Sequence, residues 1–144
     1  MAKDDTTLRL LRGSRAKPPN QAAGEPLRRE IYGASLEQFE QLLIAADAVS
    51  AAARPLPLFY ALSQAGRAIV AARGAEPEVV GHGVAEDLRT PAPVSLLHRR
   101  VRRRAAKDGK DAFGAVSRAL GSPELAAPVE LGEIWVGLPN TYMV

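Results

Sequence analysis

Residues 54–74 read RPLPLFYALSQAGRAIVAARG, the longest nearly apolar run in the chain. Pro55 and Pro57 suit the first turn of a helix, where a missing N–H costs nothing. Gly74 marks the exit, as glycine commonly does just past a last turn. Between them Leu58, Leu62, Ala65, Ile69 and Ala72 recur at three-to-four spacing, and Phe59, Ala61, Ala68 and Val70 fill the neighbouring faces. A helix apolar nearly all round is a buried one, so the run is expected to be the central core helix. Ser63, Gln64 and Arg67 interrupt it short of the roughly 18–20 apolar residues that a bilayer span needs.

The residues just before this run predict its partner. Ser35-Leu36-Glu37-Gln38 has the form of a capping box, and Leu36, Phe39, Leu43, Ala46, Val49 and Ala53 follow at helical spacing. The expected fold is therefore mainly α, with a helical hairpin core over about residues 35–53 and 55–73. Additional short helices and one or two short strands complete it. Residues 1–30, with Gly, Pro-Pro and Asn breakers, read as an N-terminal arm, extended or partly mobile, with a short strand or turn at 7–11. Residues 31–144 then form a single helical domain.

Beyond Gly74 the chain is punctuated. Val79-Val80 suits a very short strand or a helical turn, and Gly81-His82-Gly83 reads as a loop. Residues 94–104, VSLLHRRVRRR, fit both periods. Val94, Leu97, Val101 and Ala105 make a helix face, whereas alternation from Ser95 to Arg103 half-fits a strand, and the flanking prolines and Lys-Asp-Gly-Lys favour the strand. Residues 111–120 and 130–138 read as short helices, stopped by Gly121 and by Pro139.

A length of 144 residues is one domain's worth, and an apolar share of 47% with 24% charged residues is ordinary for a globular protein. The absence of cysteine excludes disulfides, thiolate metal sites and cysteine nucleophiles. The start MAKDDTTLRL has no apolar signal region, so a cytoplasmic location is expected. Abundant alanine and arginine with few lysines point to a GC-rich bacterial source. The net charge of +3 is concentrated: residues 98–110 hold seven cationic side chains against Asp108 alone, which leaves the remainder net acidic.

Two candidate sites emerge. Tyr60, Gln64 and Arg67 share one face of the central helix, and with His82 they would make a polar pocket for a small ligand. The plainer account is that they bind backbone and loops, since buried polar groups need partners in any case. Arg99, Arg100, Arg102, Arg103, Arg104 and Lys107 would attract phosphates. No aromatic residue is interleaved for base stacking, and acidic partners such as Glu86 and Asp87 would turn the stretch into a salt-bridged face. No Walker loop, GxSxG elbow or HExxH is present, and neither histidine follows an arginine at the spacing of HEPN-type ribonucleases. No catalytic residue, metal or cofactor is assigned.

The blocks SLEQFEQLLIAADAVSAAA, RPLPLFYALSQAGRAIVAARG with GHGV, DGKDAFGAVSRALGSPEL and VELGEIWVGLP occur in order over residues 25–139. Together they resemble the YaaC-like proteins, especially actinobacterial members. The resemblance carries no established activity, and it directs attention to Pro55, Tyr60, Gln64, Arg67, His82 and Gly83. It also implies a longer chain, so a short or truncated member is expected, with Ile134, Trp135 and Val136 left to meet a partner. The favoured reading is a helical protein-interaction or scaffold domain, using or self-associating through the apolar surface near Trp135. A nucleic-acid-associated protein using the basic stretch, and a ligand or enzymatic pocket around Arg67 and His82, are the alternatives. No membrane association is expected.

Overall fold

A computed structural model describes residues 5–89, 95–104 and 110–137. Among them the chain is mainly α: helices α1 (Asp5–Ala16), α2 (Gln21–Gly24), α3 (Pro26–Ala48), α4 (Pro55–Arg73), α5 (Ala112–Leu120) and α6 (Leu131–Val136). A small antiparallel sheet joins β1 (Val84–Glu86), β2 (Arg100–Arg103) and β3 (Val129–Glu130) in that order, with β2 central. Val84 stands opposite Arg103, and Arg100 opposite Glu130.

The helical hairpin of α3 and α4 is the centre of the molecule. Tyr32 and Leu36 of α3 pack on Ala68, Ala71 and Ala72 of α4, with Ala22 of α2 beneath and Leu11 and Ile31 at the margin. Alanines on α4 are what let the bulky pair approach, and burying Leu36 contributes roughly 2 kcal/mol.

Three expectations about this hairpin are corrected. α3 begins at Pro26, nine residues before Ser35, and Ser35 is a buried mid-helix residue that caps nothing. Pro26 occupies the first turn, where proline is tolerated, and Ile31, Tyr32 and Leu36 carry the apolar stripe back past the apparent capping box. α3 also stops at Ala48, not Ala53, because residues 51–54 form a turn in which Ala53 and Arg54 donate to the Ser50 carbonyl. Finally, α4 is buried only in part. Its C-terminal half packs through Ala68, Val70, Ala71 and Ala72, whereas Leu56, Leu58, Phe59, Tyr60 and Leu62 are exposed.

Arginines close both ends of the hairpin. Arg54, at the start of α4, donates to the carbonyls of Ala46 (3.0 Å) and Val49 (3.4 Å) at the end of α3. Arg28, in the first turn of α3 and only 5% exposed, donates to Gly74 (3.0 Å) and Ala75 (2.8 Å) at the end of α4. Each guanidinium satisfies carbonyls that a helix end leaves orphaned, at the pole where positive charge is favoured. Gly74 itself leaves the helix in an extended conformation (φ −71°, ψ 156°), so it is not there for a left-handed cap. A Cβ would lie 2.7 Å from the Val70 side chain and carbonyl, and that close approach is what requires glycine.

Residues 5–16, expected to be extended, are helical. α1 lies along α3, held by ion pairs from Arg12 and Arg15 to Glu40 and by the Tyr32 hydroxyl donating to Ser14 Oγ at 2.9 Å. Residue 94 lies outside the described residues; within 95–104 strand structure is confined to Arg100–Arg103, preceded by a single 3-10 turn over Leu96–His98. The expected helix at 130–138 is the shorter α6, entered from β3.

Candidate interaction face

α5 is positioned by its own start. Asp111 is 1% exposed, and its Oδ1 accepts from Gly114 N at 2.8 Å. The loop at 81–83 supplies the other acceptors: Ala112 N donates to the Gly81 carbonyl and Phe113 N to that of His82 (3.1 Å). The first-turn amides of α5 are thus consumed by the fold, which leaves this helix start no donor for an anion. Gly81 and Gly83 have φ of 67° and 82°, in the left-handed region that favours glycine. Gly83 is doubly constrained, because a Cβ there would fall 2.1 Å from Asp111 Oδ1.

Held in this way, α5 lies across α4. A Cβ at Gly66 would stand 3.0 Å from Val116, so the helices touch where α4 lacks a side chain. Beside this contact lies a cleft of about 360 Å³ lined by Phe59, Leu62, His82, Phe113, Val116 and Leu120, among others. Among the described residues no Asp, Glu, Lys or Arg lines it. Leu62 is 71% exposed at its edge, and Leu56, six positions earlier on α4, is 64% exposed. Apolar side chains this exposed make the cleft and its edge the candidate site of the fold.

Of the predicted polar pocket, only His82 reaches this cleft. Its ring stands edge-on to Phe59, centroids 4.8 Å apart. Tyr60 is edge-on to the same phenyl ring at 5.3 Å and is exposed. Arg67 Nη2 reaches the Val79 carbonyl at 3.5 Å, and Gln64 is half-buried; neither lines the cleft. Phe59, which the sequence reading treated as filler, is the residue that both Tyr60 and His82 meet.

The arginines of β2 and its approaches are largely engaged within the fold. Arg99 pairs with Glu86, Arg100 donates to the Pro128 carbonyl at 3.0 Å, and Arg102 Nε lies 3.9 Å from Asp87. Arg103 pairs with Glu124 and lies 3.5 Å from Asp111, while Arg118 reaches the other oxygen of Glu124 at 2.9 Å. The Arg89 side chain grips Asp87 through two hydrogen bonds of 2.7 and 3.1 Å. Those bonds hold the Asp87 carboxyl below its usual pKa, against the opposing effect of its burial. Arg104 is exposed, and Lys107 lies outside the described residues.

Other features add little chemistry. A cleft of about 470 Å³ near the C-terminal end of α4 is edged by Arg73, Lys110 and Arg118 but also by Glu76 and Glu78, so it selects neither sign of charge. Among the described residues no three His, Asp or Glu side chains cluster as a metal site, and no helix is long and apolar enough to cross a membrane.

These features define a mainly α domain built on an arginine-capped hairpin, with a small antiparallel sheet and one bare apolar helix end. The chain matches the YaaC-like Protein family model over residues 4–143, and it belongs to that family. No curated protein and no solved structure matches it significantly.

Proposed function

We propose that this YaaC-like protein is a protein-interaction domain that docks its partner on the N-terminal half of α4 and the cleft beside α5. The exposure of Leu56, Phe59 and Leu62 on the core helix carries this reading: Ala61 among them is fully buried, so within the described residues this half of α4 is covered on one face and bare on another. α6 also exposes Ile134, Trp135 and Val136, where the sequence located an interaction surface. That helix has six residues and offers no cleft of the kind found beside α4, so it is assigned the lesser part. The pairing of Arg99, Arg102 and Arg103 with carboxylates favours a structural use of the basic stretch over phosphate binding.

A photo-crosslinking amino acid placed at Leu62, in cells that carry the protein naturally, tests the reading. A discrete protein adduct that disappears when Leu56→Lys is added is the expected result. No adduct at position 62, with the chain folded and expressed, overturns it.

A further inference from the structure

We infer that the partner meets this face as an extended strand, which adds itself to the open edge of β1 and lays an apolar side chain over the cleft. The inference rests on the interaction reading above and names the form its occupant takes. The open edge follows from the ladder. Arg104 N donates to the Gly83 carbonyl at 2.9 Å and Asp87 N to the Arg100 carbonyl at 2.8 Å, so residues 83, 85 and 87 turn their backbone groups towards β2. Val84 and Glu86 therefore turn theirs outwards, and the backbone of neither makes a hydrogen bond among the described residues. β1 is an outer strand of the sheet, so those N–H and C=O groups stand on its unpaired side.

An open edge alone is satisfied by water, and what distinguishes this one is its place. Val84, 41% exposed, also lines the apolar cleft beside Phe59 and His82. In a strand laid against β1, the residue directly opposite Val84 exchanges both backbone hydrogen bonds with it and carries its side chain on the same face of the sheet. An apolar side chain at that position therefore comes to rest where Val84 borders the cleft. One extended segment pairs the orphaned backbone groups and covers the apolar lining together, whereas a helix laid in the cleft leaves the edge unpaired. Apart from its shortness, β1 has none of the usual guards of an edge. It contains no proline and no lysine, and its one charge, Glu86, is engaged by Arg99.

Crosslinking from position 62, repeated in two backgrounds, is the test. Glu86→Pro replaces the outward N–H with a ring and spares the bonds to β2, as a proline on an edge strand does. Glu86→Thr removes the same carboxylate but keeps the N–H. The expected result is a protein adduct that survives Glu86→Thr and is lost in Glu86→Pro, with an unchanged helical circular dichroism spectrum in both. The peptide joined to position 62 should alternate apolar and polar residues. Hydrogen exchange needs no substitution at the edge, and it decides alone if Glu86→Pro fails to fold: the amides of Val84 and Glu86 should exchange freely in the chain by itself and become protected in the purified adduct. An adduct undiminished in a folded Glu86→Pro chain, a joined peptide with apolar residues at helical spacing, or edge amides no better protected in the adduct overturns strand addition and leaves the interaction reading standing. No adduct in any background removes both.

Discussion

Arg28 Nη1 lies 3.0 Å from the carbonyl oxygen of Gly74, so a side chain at the start of one long helix seals the end of the other. Because Arg28 also reaches Ala75, and Ala71 at 3.4 Å, its removal would leave several buried carbonyls without a donor. Arg28→Met should therefore destabilise the fold by about 2–3 kcal/mol in urea denaturation. Arg28→Lys should recover only part of that, since an ammonium cannot spread its donors across separate carbonyls as the guanidinium fork does. Equal stability of all three chains would refute the capping role.

The two glycines flanking His82 make a controlled comparison. A Cβ at Gly81 meets nothing within 4 Å, so Gly81→Ala should cost only the left-handed backbone term of about 1–2 kcal/mol. Gly83→Ala adds a collision with Asp111 and should cost at least twice as much. Thermal unfolding of the two variants side by side measures the difference.

Asp111 caps α5 through Gly114 N and faces Arg103. Asp111→Asn keeps a good capping side chain and should be mild. Asp111→Ala loses the cap as well as the charge and should cost about 1–2 kcal/mol more than Asp111→Asn. Equal losses in the two variants would mean that the charge, which both remove, is the main contribution.

Asp87 sets an acid dependence. Its carboxyl is held below the usual value of 3.8, mainly by the Arg89 hydrogen bond, so the folded chain takes up its proton later than the unfolded one. The resulting stability is complete above that usual value and disappears as pH falls through the lower, folded one. Asp87→Asn should be less stable at neutral pH, and its unfolding midpoint should fall less steeply in acid. Parallel curves for both chains would remove Asp87 as a cause.

Neighbouring arginines should behave differently. Arg103→Ala removes one of the two arginines on Glu124 and the cation facing Asp111 and should cost about 1 kcal/mol. Arg104→Ala, at an exposed side chain, should change stability by no more than about 0.5 kcal/mol. Denaturant midpoints decide whether the basic run is mainly structural.

Proline and glycine made α4 readable from end to end, because backbone chemistry at Pro55 and Gly74 is local. Asp111 with the following apolar spacing did the same for α5, and Glu86 and Asp87 were identifiable as acidic partners by charge alone. α1 was missed because what holds it is remote: Glu40 for its arginines and Tyr32 for Ser14 lie 18 or more positions away. Ser35 misled because its spacing to Gln38 satisfies a capping pattern in the middle of a helix that Pro26 had already begun. Strands of two to four residues carry too little alternation to be located without their partners. Periodicity predicted an apolar helix correctly, but it cannot say which residues receive neighbours, and that is where the exposed apolar surface of α4 arose. His82 was recognisable as a loop residue; its contact with Phe59 depends on how α5 and the hairpin meet.

The uneven cover along α4 gives the helix an internal clock. Amide protons near Leu58 should exchange through brief fraying, while those from Ala68 to Ala72 should wait for the whole domain to open. One helix would then report two rates. If a neighbour settles on the exposed side, the fast set should slow as that neighbour is added while the slow set shifts little, so isotope exchange along a single segment would read out occupancy of the face.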